Sequence, residues 1–347
     1  MTRLLSAVQL TDTESNFLRY SHTIGLCVMQ GRGFMFPVDT LIAKDGRMHT
    51  VNRAYDAVPS QLRVTVYDIN SEYYGVYGNY GDGLGQFKWP SAIAADNEGN
   101  VFISDEQTDR INIYHPDGSP VDHWGISGDQ TGELRGPSGI AFDSNNDVFV
   151  SDHLNNRVQK FTKDGKFALV FGNEPRSESS LKLPWGLTVA SDNCVYVADW
   201  ANHRVNKYSN SGEFIRTFGS PGTGDGQFIN PSSVAVDHDG YIYIADWGNE
   251  RIQILDMDGE FVSTLRGAAT ISKWGQEFLD ANDEEAEPRS RSNLEPELTQ
   301  FGGNPHEESA HTEKFFWGPT SVKLDEAGRL YVTESCRHRV QIYERAL

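Results

Sequence analysis

Residues 137–161 read PSGIAFDSNNDVFVSDHLNNRVQKF, and the chain repeats this pattern with changes. Prolines open the four clearest copies at positions 90, 137, 184 and 231, so these copies are spaced 47 residues apart. In each copy an aspartate follows the proline at a fixed distance, and an arginine stands five residues after it. The pairs are Asp105 with Arg110, Asp152 with Arg157, Asp199 with Arg204, and Asp246 with Arg251. A repeat of this length is a stronger guide than the total of 347 residues, and it predicts one closed repeat domain covering 1–347.

Two further copies have diverged from the pattern. One begins at Pro319 and the other at Pro37, where an insertion of about six residues separates the second and third segments. The residues in place of the acid and the arginine are Glu334 and Arg339 in the copy from Pro319, and Asn52 and Arg63 in the copy from Pro37. The chain therefore contains six copies.

Each copy contains the local signals of four short strands. The proline opens an apolar run such as SGIAFD or SSVAVD, and a turn such as DNEGN or DHDGY follows. The second run, for example VFVSD or IYIAD, ends at the acid, and a third begins at the arginine. A fourth ends near Trp124, Phe171 or Phe218, each directly before a glycine. Tight turns between alternating apolar runs favour antiparallel hairpins. The sequence predicts an all-β fold, a six-bladed β-propeller of four-stranded antiparallel blades.

The ends of the chain indicate how the ring closes. Tyr20–Gln30 reads as a strand outside the repeat, whereas the last copy stops after its third strand, at VQIYERAL. A strand from the N-terminal segment would complete the last blade and leave no open edge. The predicted organisation is an N-terminal arm (1–19), a closing strand (20–36), blades starting near 37, 90, 137, 184, 231 and 319, and an insertion at about 267–314.

The insertion at about 267–314 interrupts the repeat. Its segment SKWGQEFLDANDEEAEPRS predicts a short helix with Trp274, Phe278 and Leu279 on one side. The surrounding residues are polar and poor in aromatic side chains, as in loosely tethered loops. A loop of this length in a compact ring is either functional or disordered. A lid, a partner-docking arm and a solvated insertion are all open at this point.

The unit 231–261, PSSVAVDHDGYIYIADWGNERIQILDMDGEF, resembles an NHL repeat. The shared features are the opening proline, the D-x-x-G turn, the strand ending in Ala-Asp and the following N-x-R. The resemblance is strong in the second to fifth copies, weaker in the sixth and poor in the first. It implies a six-bladed NHL propeller. It implies no particular activity, because the family includes RNA-binding, protein-binding, sensor and lyase members.

Composition restricts the function further. A formal charge of -19 and a pI near 4.9 repel nucleic acid and anionic lipid, so neither is an expected partner. Cys27, Cys194 and Cys336 form no paired framework, which favours a reducing compartment. No apolar run approaches the ~18 residues of a membrane span, and the first residues lack the pattern of a signal peptide. We therefore expect a cytoplasmic protein.

The repeated acids and arginines are expected to support the blades. A residue that every blade contains is needed by the blade: the acid can accept loop N–H groups and the arginine can pair with it. The same interpretation covers His203 and His338, which stand where other copies have polar loop residues. No metal site or cofactor is predicted.

The positions at which the copies differ predict the functional site. In a propeller, the residue after the proline and the residue after the acid reach the same mouth of the central channel. The first position contains Val38, Ser91, Ser138, Trp185, Ser232 and Thr320, and the second contains Arg53, Glu106, His153, Trp200, Trp247 and Ser335. Aromatic walls with a few polar groups are typical of ligand pockets. The predicted ligand-binding residues are Arg53, Glu106, His153, Trp185, Trp200 and Trp247.

Two functional hypotheses remain open. The first is a propeller that binds a small molecule or peptide at this mouth and catalyses a lyase or hydrolase step, with His153 as the acid/base and Arg53 as the anion holder. NHL-type peptidyl-hydroxyglycine lyases hold zinc through channel histidines, but the position after the proline contains no histidine here, so this zinc site is not expected. The second is a non-catalytic scaffold that docks a protein partner, or a second copy of itself, through 267–314.

Overall fold

Six four-stranded antiparallel sheets form the protein, arranged as the blades of one propeller. This computed structural model describes residues 17–27, 31–54, 59–175, 177–297 and 303–346. The first strands of neighbouring blades contact one another around the ring and so surround its axis. The all-β, six-bladed propeller that the repeats predict is confirmed.

In blades 1 to 5, four strands run in chain order from the axis outward. Blade 1 contains Pro37–Ile42, Arg47–Asn52, Val64–Asp68 and Tyr73–Tyr77. Blade 2 contains Pro90–Ala95, Val101–Asp105, Arg110–Tyr114 and Pro120–Trp124. Blade 3 contains Pro137–Phe142, Asp147–Asp152, Arg157–Thr162 and Phe167–Phe171. Blade 4 contains Pro184–Val189, Val195–Asp199, Arg204–Tyr208 and Phe214–Phe218. Blade 5 contains Pro231–Val236, Ile242–Asp246, Arg251–Leu255 and Phe261–Leu265.

Blade 6 draws its strands from both ends of the chain. It contains Pro319–Leu324, Leu330–Glu334 and Arg339–Arg345, and its outer strand is Leu18–Ile24. The predicted closure by the N-terminal segment is thus observed, although the strand is shorter than 20–36. It ends before Gly25, where φ is +129° and a Cβ atom would meet the main chain of His338 at 2.6 Å. Residues 1–16 of the predicted arm lie outside the described residues.

Short elements connect the blades with one another and the second strand of some blades with the third. Two-residue parallel strands pair Asn79–Tyr80 with Gln86–Phe87 and Ser220–Pro221 with Gln227–Phe228. Single 3₁₀ turns span Pro59–Gln61, His153–Asn155, Trp200–Asn202 and Trp247–Asn249.

Hydrophobic side chains fill the space between neighbouring blades. Six clusters of buried residues occur, and each draws on two adjacent blades. In one of them Phe102 and Ile111 of blade 2 pack with Ile140 and Phe161 of blade 3. A single blade therefore leaves apolar faces exposed, and only the ring buries them.

The repeated proline, acid and arginine lie side by side across one end of each blade. Pro137 pairs with Asp152 in the first hairpin, and Asp152 pairs with Arg157 in the second. The Asp152 carboxylate accepts Arg157 Nε at 2.6 Å and the main-chain N–H of Arg135 at 2.7 Å. Asp152 is fully buried, and burial raises the pKa of its carboxyl against the opposing effect of these hydrogen bonds. The acid joins the second strand to the loop that leads into the first strand.

The same arrangement recurs in blades 4, 5 and 6. The Nε atoms of the arginines lie 2.8 Å from the carboxylates in the pairs Arg204–Asp199, Arg251–Asp246 and Arg339–Glu334. Blade 2 differs, because Arg110 donates to the carbonyl oxygens of Asp82 and Gln86 and its Nε makes no hydrogen bond. In blade 1, Arg63 donates to the carbonyl oxygen of Gly31 in the preceding loop, as the other arginines donate to theirs. The side-chain amide of Asn52 donates to the main-chain carbonyl of Arg63.

A second repeated contact joins each of blades 2 to 6 to the blade that follows it around the ring. In these five blades the residue before the arginine adopts a left-handed conformation, and its side chain accepts the N–H of the residue before the next proline. The pairs are Asp109 with Gly136, Asn156 with Leu183, His203 with Asn230, Glu250 with Gly318, and His338 with Phe36. His203 and His338 therefore serve as hydrogen-bond acceptors between blades, in agreement with the expected structural role. Burial lowers the pKa of His338 to about 4.

The described part of the insertion contains three helices, α1 (Lys273–Asp280), α2 (Asp283–Arg291) and α3 (Pro305–His311). Trp274 of α1 is fully buried between blades 6 and 1, and its indole N–H donates to the carbonyl of Ser71 at 2.7 Å. Phe278 is 40 % exposed, so the predicted apolar side of this helix is only partly buried. Residues 298–302 of the insertion lie outside the described residues. Of the helices described, none is long and apolar enough for a membrane span.

Candidate functional site

The mouth of the channel is built at the end of each second strand. In blades 3, 4 and 5 the strand ends at the buried acid and one 3₁₀ turn follows. The first residue of that turn is His153, Trp200 or Trp247. The turn ends in a left-handed residue, after which the arginine starts the third strand. The acid and the arginine therefore fix the turn, and the turn places the residue directly after the acid at the mouth of the channel.

A cavity of about 450 Å³ opens at this mouth, and we call it the tryptophan cavity. Its lining residues are Phe36, Val38, Arg53, Ala54, Trp89, Trp185, Trp200, Ser232, Trp247, Thr320, Ser335 and Cys336. The rings of Trp200 and Trp247 lie 6.5 Å apart between centroids and are tilted by 44°. Four of the predicted site residues, Arg53, Trp185, Trp200 and Trp247, are thus brought together.

Arg53 is the charged side chain of the cavity wall. Its Nη2 donates to Glu106 Oε1 at 2.7 Å and to Ser91 Oγ at 2.8 Å, and its Nε donates to the carbonyl of Pro90 at 2.8 Å. The guanidinium also lies over the ring of Trp89, 4.7 Å from the centroid. Burial lowers the pKa of Arg53, and the Glu106 carboxylate opposes that effect. Arg53 therefore remains a cation, with its charge compensated by Glu106.

Glu106 and His153, the other two predicted residues, lie behind the wall. Glu106 contacts Arg53 and Ser91 and is absent from the lining of the cavity. The His153 side chain is buried, and its ring meets that of Trp185 edge-on, 4.9 Å away. Its Nδ1 lies 3.2 Å from the carbonyl of Pro184, so Nδ1 carries the proton and donates. Burial lowers the pKa of His153, which favours the neutral ring.

Four further residues line the cavity at positions that the sequence pattern did not predict: Phe36, Ala54, Trp89 and Cys336. Phe36 and Trp89 stand directly before the proline of their blades, so this position also reaches the mouth. Ala54 and Cys336 stand two residues after Asn52 and Glu334. Comparing the copies also at the residue before the proline and at the second residue after the acid would have predicted all four lining residues.

The other groups at the mouth are poor catalysts. Burial raises the pKa of the Cys336 thiol to about 11, so it stays protonated at neutral pH. Ser232 Oγ donates to the carbonyl of Pro319 at 3.0 Å, and Thr320 Oγ1 donates to that of Thr333 at 3.2 Å. Among the described residues, no three His, Cys, Asp or Glu side chains are grouped as metal ligands.

Below the cavity, the channel contains a second and much smaller space of about 20 Å³, which has room for roughly one water molecule. Val38, Trp185, Ser232 and Thr320 line both spaces. The first strands approach closely here: a Cβ atom on Gly186 would lie 2.6 Å from the carbonyl of Ser232. The cavity is therefore a pocket with a nearly closed floor.

Helix α3 of the insertion lies at the rim, beside the turn that carries Trp247. His306 bonds to the buried Glu250 at 2.7 Å, and Glu250 in turn accepts the N–H of Gly318. Arg337, next to Cys336, donates to the carbonyl oxygens of Ser309 and Ala310 in the last turn of the helix. These contacts attach the helix to blades 5 and 6.

Comparison with known proteins supports the repeat assignment. A family model described as a 6-bladed beta-propeller matches residues 186–278, and the NHL repeat model matches residues 134–161 and 316–343. No curated protein sequence matches the chain.

Solved structures share the fold at low sequence identity. A structural genomics protein of unknown function from Bacteroides thetaiotaomicron is 18% identical with a TM-score of 0.62, covering 93% of this chain and 72% of that one. A streptogramin B lyase is 14% identical with a TM-score of 0.56, covering 96% of this chain and 100% of that one. An inactive virginiamycin B lyase from Staphylococcus aureus, solved with quinupristin, is 13% identical with a TM-score of 0.55, covering 89% and 80%. Together, these matches and the six observed blades show that this chain folds as a six-bladed β-propeller and contains NHL repeats at residues 134–161 and 316–343.

Proposed function

We propose that this propeller binds a small molecule, or a peptide with an aromatic side chain, in the tryptophan cavity. The observation that carries the proposal is the convergence of Trp89, Trp185, Trp200 and Trp247 on one cavity of about 450 Å³. Ligand pockets have volumes of roughly 300–1,000 Å³ and mostly apolar walls with a few polar groups. The tryptophan cavity has this size and this composition.

The arrangement of the tryptophans favours an aromatic ligand. Trp247 is 40 % exposed and Trp89 is also 40 % exposed, so their rings are accessible rather than packed as channel plugs. An aromatic pair contributes about 0.5–1.5 kcal/mol beyond the burial of its apolar area. A ligand ring that contacts two or three of these indoles would gain several such contacts.

Binding is better supported than catalysis. A lyase or hydrolase step would need His153 as the acid/base, but this ring is buried against Trp185 and its Nδ1–H donates to the carbonyl of Pro184. The likeness to the streptogramin B and virginiamycin B lyases is one of fold, at 13% to 14% identity. The groups that line the cavity offer no paired acid and base.

The test is the binding of N-acetyltryptophanamide and 2-naphthamide, measured by isothermal titration calorimetry. Trp200→Ala and Trp247→Ala should each weaken binding by about ten-fold or more, because each removes one wall of the cavity. Both variants should keep the unfolding temperature of the parent protein. Trp124→Ala is the matched control, since Trp124 lies on the outer strand of blade 2, away from the cavity. Equal affinity in all three variants would contradict the proposal.

A second candidate function rests on the insertion. We infer that its helices form a docking face, because a groove of about 570 Å³ lies between α1, α2 and residues 313–314. Phe278 on α1 is 40 % exposed and Leu294, in the groove wall, is 37 % exposed. An exposed apolar face of this kind fits a protein partner or a second copy of the chain.

Self-association through this face is testable by sedimentation velocity. If the insertion joins two copies, Phe278→Glu should shift the protein to the monomer. Phe167→Glu is the matched control, because Phe167 is equally exposed, at 40 %, on the outer strand of blade 3. If the parent protein is already monomeric at high micromolar concentration, the insertion does not join two copies. The partner of the docking face would then have to be a different protein.

A further inference from the structure

The charge at the tryptophan cavity is balanced within its wall. Arg53 lines the cavity, and Glu106 lies directly behind it with a 2.7 Å separation between nitrogen and oxygen. Both side chains are mostly buried, 15 % and 19 % exposed, so bulk water screens the pair only weakly. A second anion buried here would leave one negative charge without a partner, in a protein whose formal net charge is already -19.

A cation would also find no counter-charge at this site. No aspartate or glutamate lines the cavity among the described residues, and Arg53 presents its own positive charge there. Although aromatic rings attract cations, the face of Trp89 is already occupied by the guanidinium of Arg53. The rings of Trp185, Trp200 and Trp247 remain open to a cation, but they share the cavity with Arg53 and with no lining carboxylate. An added charge of either sign therefore finds no free counter-charge in the cavity.

The free polar groups of the wall are mostly hydrogen-bond donors. Nε and Nη2 of Arg53 donate hydrogen bonds to other residues of the protein, but Nη1 has no hydrogen-bond partner among the described residues. Nη1 is not fully buried, so it can donate to a ligand. The indole N–H groups of Trp185 and Trp200 are likewise unpaired within the described part of the chain and remain accessible. Both side-chain types donate and do not accept. Ser335 Oγ, which has no hydrogen-bond partner within the described residues, can both donate and accept.

The free donors reach the cavity from several blades. Arg53 and Ser335 belong to blades 1 and 6, whereas Trp185 and Trp200, whose indole N–H groups also donate, belong to blade 4. A ligand ring that packs against the indoles therefore meets hydrogen-bond donors from blades 1, 4 and 6, and acceptor oxygens on that ligand match them. This excess of donors constrains the chemistry of the ligand beyond the presence of a ring.

We propose that the tryptophan cavity selects an uncharged aromatic compound with a carbonyl acceptor, such as an aromatic amide, and that Glu106 sets this preference by compensating Arg53. The inference rests on the proposed binding function and deepens it. Glu106 is a specificity-determining residue in this account, although it lies behind the wall and does not line the cavity.

The test compares three probes that share one ring system and differ in charge. These are 2-naphthamide, 2-naphthoate and 2-naphthylmethylammonium, titrated calorimetrically at pH 7.5 and 0.15 M salt. The parent protein should bind 2-naphthamide about ten-fold more tightly than either charged probe, because a buried unpaired charge is costly.

Glu106→Gln keeps the shape and the hydrogen-bonding capacity of the side chain but removes its negative charge. The variant should bind 2-naphthoate about ten-fold more tightly than the parent does, through the uncompensated Arg53, while 2-naphthamide changes by less than about two-fold. Glu98→Gln is the matched control, because Glu98 of blade 2 is an exposed glutamate that also forms an ion pair, with Lys163. This control variant should bind all three probes with the affinities of the parent protein.

The outcomes separate the two proposals. If none of the three probes binds, the proposed function itself fails. If 2-naphthamide binds but 2-naphthoate binds equally well to the parent, or if Glu106→Gln leaves their ratio unchanged, this inference fails and the binding function stands. Should Glu106→Gln not fold, the double variant Arg53→Gln with Glu106→Gln removes both charges and should retain the preference for 2-naphthamide. Loss of that preference in the double variant would overturn the assignment of charge selection to this pair.

Discussion

Asp246 and Trp247 are neighbours in the chain but belong to two different parts of the molecule. Asp246 is 0 % exposed and binds Arg251 and the N–H of Ile229, whereas Trp247 is 40 % exposed and lines the cavity. The same division separates Asp199 from Trp200. The acid that blades 2 to 6 share holds the loops together, and the residue beside it differs from blade to blade. A single peptide bond therefore separates a residue that stabilises the blade from one that lines the tryptophan cavity.

The largest loss of stability should come from replacing the buried acid of this pair, Asp246. Asp246→Ala should lower the free energy of unfolding by about 3–5 kcal/mol, because it leaves Arg251 partly buried without its carboxylate and removes the acceptor for Ile229. Trp247→Ala should change it by less than about 1 kcal/mol. Chemical denaturation monitored by circular dichroism measures both. Similar losses in the two variants would refute the proposed division.

A smaller effect should appear with acid at the contacts between blades. Burial lowers the pKa of His338 to about 4, below the ordinary value of 6.5. The unfolded chain then binds this proton more readily than the folded chain, so the contribution of His338 to stability falls as the pH decreases from 6.5 to 4. His338→Asn removes the titration but keeps an acceptor, as Asn156 does at the same position of blade 3.

The two proteins should be equally stable at pH 7, and the variant should be the more stable by roughly 2–3 kcal/mol at pH 4. Other titrating groups, including His49 with its pKa also lowered to about 4, are common to both proteins and cancel in the difference. Urea denaturation across this pH range gives the comparison. Parallel curves for the two proteins would show that the His338 contact with Phe36 does not depend on protonation.

The smallest effect distinguishes two copies of the structural contact itself. Arg157→Leu removes the partner of the buried Asp152, but Arg110→Leu removes only hydrogen bonds to carbonyl oxygens. The Arg157 variant should therefore lose about 1–2 kcal/mol more stability than the Arg110 variant. Thermal unfolding monitored by calorimetry provides the measurement. An equal loss would mean that the ion pair adds nothing to the carbonyl contacts.

The sequence predicted the ring because the features that define it are repeated. Six prolines mark six first strands, and the predicted Arg63 of the diverged first copy does occupy the arginine position. Trp185, Trp200, Trp247 and Arg53 were placed at the mouth because their positions relative to the proline and the acid are fixed by the blade.

Other features depend on contacts between distant segments, and the repeat does not encode them. His153 and Glu106 occupy mouth positions, but each turns towards its neighbouring blade, where Pro184 and Arg53 supply hydrogen bonds. The helix of Trp274 was predicted, but its orientation follows from a pocket between blades 6 and 1 that no local period reveals. Phe278 is exposed as a result.

The pairing of Leu18–Ile24 with Arg339–Arg345 has a consequence for biosynthesis. The outer strand of blade 6 is made before blades 1 to 5 and its partner after them, so a growing chain can complete blades 1 to 5 before it can close the ring. Ser335 and Cys336 of the cavity wall are also made after blades 1 to 5. A nascent chain therefore cannot form the complete tryptophan cavity early in synthesis, and any ligand that requires the closed ring must wait until synthesis has passed residue 345.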